Sequence, residues 1–195
     1  MITERDREII NFIYDIGFVT IEQAGKLFFT DSKVSYDLAR NRLKKLVRQD
    51  LYIKAIRNTE TKQLLYVPKE SKLKRVSKHD LLVLDYLAEL KCLGCEIETV
   101  ELEKDFGGVI PDCYIKFVFN GYRYHQLLEI QLRHDYVDIN RFNKVKDKIL
   151  EETNNVLPNI IVIQNTNKDY NLDNKTGFDV VQIRVDFGEI AKVLL

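Results

Sequence analysis

The chain has 195 residues, 45% hydrophobic and 31% charged, which suits a soluble globular protein of one large domain or two small ones. No apolar run reaches the roughly 20 residues of a membrane span. The charged start MITERDREII is unlike a signal peptide, and three cysteines cannot all pair, so the expectation is a cytoplasmic protein of a reducing compartment with no membrane partner.

Net charge is zero but unevenly spread. Residues 1–80 carry about 17 Lys+Arg against 11 Asp+Glu, and residues 81–195 about 13 against 19. A basic first module, able to meet a polyanion, precedes an acidic one. Thr3 with Glu4 and Asp6 reads as a helix start. Ile9, Ile10, Phe12, Ile13 and Ile16 give its apolar face, and Gly17 ends it. After a short extended link at Phe18-Val19, Thr20 and Gln23 form a capping-box pair for a helix over 21–28. Ser32 or Ser35 begins a third helix. It should turn Leu38, Leu43, Leu46 and Val47 inward and Arg40, Arg42, Lys44, Lys45 and Arg48 mostly outward. Residues 52–57 and 63–67 then read as two strands around a polar turn.

Three helices followed by a hairpin is the layout of a winged helix-turn-helix, expected over residues 1–70. In that geometry the third helix enters the major groove of double-stranded DNA. Lys33, Arg40, Arg42, Lys44, Lys45 and Arg48 would meet phosphates or bases, and Arg57 and Lys62 on the wing would reach flanking phosphates. The competing reading is a solvated basic face on a protein-interaction module. Paired half-sites would suit a homodimer, although no heptad run supplies a dimer helix. Residues 71–78 are polar and basic, as an exposed linker should be.

The second module is expected over 79–195. His79-Asp80 would cap a helix with Leu81, Leu84, Leu87 and Leu90 buried. Residues 96–103 alternate acidic and apolar, as a half-wet strand does. Two strands meet at Asn120-Gly121, a dipeptide suited to a two-residue hairpin. Counting outward from that turn, Asp112 lies eight residues before it and Glu129 eight after, so the two carboxylates fall opposite each other. Like charges there repel, and a divalent cation is one reason to tolerate them. A helix is expected over 134–152, an apolar strand over 160–163, a strand over 178–185 and a closing helix over 187–195.

The order α-β-β-β-α-β-β-α, with Pro111-Asp112 in one strand and Glu129-Ile130-Gln131 in the next, resembles the PD-(D/E)XK nuclease fold. The whole α+β chain resembles the replication-relaxation family of mobile genetic elements. That resemblance implies DNA binding in plasmid, phage or integrative-element replication or transfer, alongside a relaxase or replication proteins, or in transcriptional control. It implies Mg²⁺ held by Asp112 and Glu129 with the Ile130 carbonyl, polarising a phosphodiester and activating water. The position two after the glutamate usually holds lysine. Gln131 can orient water but supplies no charge, so the nuclease-like domain is expected to be non-catalytic, unless Lys144, Lys148 or Arg133 replaces that lysine. The alternative is a Mg²⁺-dependent DNA endonuclease.

Each candidate has a plainer reading. Asp112 suits a turn after proline, and Glu129 could pair with Arg133 or a nearby lysine. Glu89 reads as a surface acid before an extra active-site acid. Cys92 and Cys95 have the spacing of a zinc half-site, with Cys113, His79 and His125 as conceivable completers, but a helix end with a buried thiol accounts for them. His125 fits a strand face, and His134-Asp135 fits either a helix cap or a flank of the carboxylate site.

Overall fold

The computed structural model describes residues 2–30, 32–133 and 136–195. Among them the chain is α+β: five α-helices, a three-stranded antiparallel sheet and a mixed sheet of five strands. It divides into two compact units, Met1–Cys92 and Leu93–Leu195.

In the first unit, helix α1 (Glu4–Ile16) begins with a reciprocal cap between Thr3 and Asp6 and stops at Gly17, whose left-handed backbone accepts the turn. The expected link is a strand, β1 (Val19–Thr20), and α2 (Ile21–Phe28) carries the Thr20–Gln23 capping box that its sequence predicts. Helix α3 spans Ser35–Gln49. A methyl group on Gly25 of α2 would stand 3.3 Å from the Ser35 carbonyl, so glycine is what lets α2 cross the start of α3 this closely. Strands β2 (Ile53–Arg57) and β3 (Leu64–Pro68) form the hairpin, and β1 pairs with the far edge of β3.

The face of α3 differs from the expectation at two places. Ala39, Leu43 and Leu46 are the buried row, and Leu38 is 41% exposed. Arg42, expected outward, turns back to Asp6, which is 1% exposed. It also donates to the Thr3 hydroxyl at 3.1 Å. Burial alone would raise the Asp6 pKa, but hydrogen bonds from Arg42 and Thr3 outweigh it and hold the carboxyl below its usual value.

Residues 71–78 are not a free linker. Val76 is buried, and Asn58, also buried, ties it to the hairpin turn. The following helix, α4 (Lys78–Cys92), belongs to the first unit rather than the second. Its cap is Ser77 in reciprocal contact with Asp80. The Gln23 amide of α2 donates to the Leu81 carbonyl at 3.1 Å and to Asp85 at 2.8 Å, and Lys26 reaches Glu89 at 2.7 Å. Leucines at a helical period could not tell which layer α4 would cover.

In the second unit the sheet order is β4 (Glu96–Leu102), β5 (Cys113–Phe119), β6 (Tyr122–Gln131), β7 (Asn159–Gln164) and β8 (Val180–Arg184). The first three are antiparallel and the last three parallel. The hairpin turns at Asn120-Gly121, both with positive φ, as the dipeptide predicts. A register shift between Ile97 and Thr99 interrupts the β4–β5 ladder. Leu127, Ile160 and Val162 on one sheet face pack with Phe142, Ile149 and Phe178. The expected helix over 134–152 is a 3-10 turn, Ile139–Val145, leading into α5 (Lys146–Glu152). Ile139, Phe142 and Val145 recur every third residue, which suits three residues per turn better than 3.6. The closing helix is likewise a 3-10 turn, Ile190–Leu194.

Replacing Arg42 with Ala strands a carboxylate that is 1% exposed. The expected loss is about 3 kcal/mol in urea unfolding, the low end for breaking a buried pair because Arg42 itself is partly exposed. Because the Asp6 pKa is lowered in the folded state, its contribution is present above the ordinary carboxylate range and disappears as pH falls through the folded value. The wild-type advantage over Arg42→Ala should therefore shrink in acid. A gap that stays constant down to pH 2 would contradict this.

Candidate functional site

Two groups of residues carry chemistry, one in each unit. In the first unit, Lys33, Arg40, Lys44, Lys45 and Arg48 are all exposed on or just before α3. None forms an ion pair with another described residue, so their charge is directed to solvent. Arg42 leaves this set because it is committed to Asp6. On the hairpin, Arg57 and Lys62 are exposed beside the turn, with Arg57 donating to the Lys62 carbonyl at 3.2 Å and the Lys62 ammonium to the Thr59 carbonyl at 2.8 Å. Tyr66 of β3 lies behind α3, 1% exposed, with a hydroxyl that has no hydrogen-bond partner among the described residues.

In the second unit the β5–β6 ladder pairs Cys113 with Leu128, which sets Asp112 across from Glu129 as the count around the hairpin predicts. Asp112, expected in the strand, lies in a bend just before β5, while strand alternation puts Glu129 and Gln131 on the sheet face that carries Leu127 and its partner Tyr114. Glu129 is 4% exposed and Gln131 5%. Asp112 spends one carboxylate oxygen on the Ile130 N–H at 2.6 Å. Glu129 is met by the guanidinium of Arg141, which also donates to the Ile110 carbonyl at 3.1 Å and lies over the Phe142 ring. Gln131 turns its amide to the Arg133 carbonyl.

The like-charge repulsion is thus relieved from inside the protein. Arg141 occupies the position that the sequence offered to Arg133 or a lysine. Lys144 and Lys148 are exposed, and Lys148 rests against Gly107 with Asp105 as its charged neighbour. Among the described residues, no group of three His, Cys, Asp or Glu side chains comes together to hold a metal. Mg²⁺ fits this donor set poorly: it prefers several oxygen ligands, one carboxylate is engaged by a guanidinium and the other by a backbone N–H. The sequence offered no direct signal for Arg141. Its place follows from the 3-10 turn, which buries Ile139 and Phe142 on either side and aims residue 141 back along β6.

Cys92 is exposed and Cys95 and Cys113 are buried, none of them in a disulfide among the described residues, and burial pushes the Cys113 thiol up to about 12. His125 is buried with Nδ1 2.7 Å from the Tyr114 hydroxyl, and burial, then Lys116 and Arg123, lowers its pKa. Glu89 accepts from Lys26 in the first unit. His134-Asp135 lies outside the described residues. Comparison of the chain with protein-family models and with curated proteins gave no match.

If Arg141 is what makes a buried Glu129 tolerable, Arg141→Met and Glu129→Gln should each cost about 2–4 kcal/mol. The double variant should recover at least about 1 kcal/mol of the summed loss in a denaturant cycle. Strict additivity would show the two side chains to be energetically independent.

Proposed function

We propose that this protein binds double-stranded DNA through its first unit, a winged helix-turn-helix. In this reading the second unit is a PD-(D/E)XK-like core that works without turnover, in replication, transfer or transcriptional control of a plasmid, phage or integrative element. The observation that carries the reading is the row of exposed cations on α3 that form no ion pair among the described residues, on a helix braced by the close crossing at Gly25 and flanked by a three-stranded hairpin sheet. Uncommitted outer charges suit a recognition helix in the major groove, because a cation already paired within the protein must give up that partner before it neutralises a phosphate and releases the counterions condensed there. Kinship with the replication-relaxation family rests on the same order of elements, and relaxase or replication proteins are the partners it suggests.

For the second unit, the non-catalytic reading is supported by Gln131 in place of lysine and by Arg141 on Glu129. The opposed placement of Asp112 and Glu129 favours one competitor, a Mg²⁺-dependent endonuclease in which those two residues hold the ion. That reading requires Arg141 to leave Glu129 before metal arrives.

The two readings separate on one set of samples. Fluorescence anisotropy with duplex DNA should show Arg40→Ala/Lys44→Ala weakening affinity and flattening the slope of log K against log salt by about 2. Unchanged binding at every salt concentration would remove the DNA assignment from α3. Calorimetric titration of Mg²⁺ and Mn²⁺ into wild type and Asp112→Ala should give matching, featureless curves, with no duplex cleavage by either. Cleavage by wild type that disappears in Asp112→Ala would establish the nuclease instead.

A further inference from the structure

We infer that residues 71–76 form a fixed basic strap beside the wing and that Lys74 and Arg75 add a second row of DNA-phosphate contacts to the wing tip; this rests on the DNA-binding reading of the first unit. The starting point is Asn58, a polar side chain with 0% exposure at the start of the hairpin turn. Its amide donates to the Val76 carbonyl at 2.8 Å and to the Thr61 hydroxyl at 2.9 Å. Its side-chain oxygen accepts from the Glu60 N–H at 3.1 Å and the Val76 N–H at 3.3 Å. One buried side chain therefore holds the turn in shape and holds the strap to the turn.

The attachment is repeated along the segment. The Thr59 N–H donates to the Lys74 carbonyl at 3.3 Å, and the Lys54 ammonium to the Ser71 carbonyl at 2.7 Å. Val76 anchors the end of the strap at 2% exposure. Lys74 and Arg75 are left exposed immediately beside Thr59, with Arg57 and Lys62 on the neighbouring chain of the same turn. Four cations are so gathered around one tip, with Glu60 as the acid paired to one of them, Arg75. That acid is no strong competitor: Glu60 stands 3.7 Å from Arg75, with side chains 38% and 72% exposed.

A mobile basic linker would lose its freedom on meeting DNA, whereas this strap is already ordered by its own hydrogen bonds. Preorganised charge is the cheaper kind to bind with. The partner is the phosphate backbone of a duplex: the strap sets an ammonium and a guanidinium beside the turn, and cations that meet phosphates position a chain without reading sequence.

The test is anisotropy of the full-length chain with two duplexes of unrelated sequence over a salt series. Lys74→Ala/Arg75→Ala should flatten the salt slope by about 2, equally on both duplexes. Glu60→Gln should tighten binding to both. Wild type that binds duplex, together with a double variant of unchanged slope, overturns the strap contact while leaving α3 as the DNA surface. A wild-type chain that binds neither duplex overturns the DNA reading and the strap with it.

Discussion

A carboxylate taken out of water must be met by a cation or by N–H groups, and that requirement is answered twice in this chain by an arginine distant in sequence. Asp6 is answered by Arg42, fixing α1 against α3. Glu129 is answered by Arg141, fixing the 3-10 turn after β6 against the sheet. In each case the guanidinium nitrogen that meets the acid also donates elsewhere, to the Thr3 hydroxyl in one unit and to the Ile110 carbonyl in the other. The pairs specify an arrangement: a different phase of α3, or a regular helix over 139–145, would leave an acid buried without its partner.

The same requirement sorts the basic residues of α3. Six arginines and lysines at or near that helix look alike in the sequence, and the one answering Asp6 is half-buried while the others stay exposed. A row of cations therefore serves two ends at once, one charge holding the helix in place and the rest facing outward from it. The second unit shows the converse. There an arginine meets a carboxylate that the sequence pattern offered to a metal ion.

Local signals were legible where the answer is local. The capping boxes at Thr3 and Thr20, the stop at Gly17, the Asn120-Gly121 turn and the apolar strand at Ile160–Ile163 all depend on residues a few positions apart. Counting around the hairpin was enough to place Asp112 opposite Glu129, since a two-residue turn fixes register. What was not legible depends on contacts across the fold. Asn58 looks like any turn asparagine until Val76 closes over it, and the allegiance of α4 is decided by Gln23 and Lys26, some sixty positions earlier. Arg141 was visible only as one more charge on a segment whose period of three was read as a helix.

The interruption of the β4–β5 ladder bears on how the molecule behaves in a crowd. Strand β4 is one of the sheet's two outer strands, with β8 at the other side, and a long flat outer strand invites another chain to pair with it. Here the ladder slips beside Glu98, which draws in Lys116 and Arg123 at 3.1 and 3.0 Å, and Glu96 and Glu101 add negative charge along the same strand. An irregular margin lined with charged side chains is a poor template for strand addition. On the β4 side, irregularity in the ladder works against pairing with a further strand.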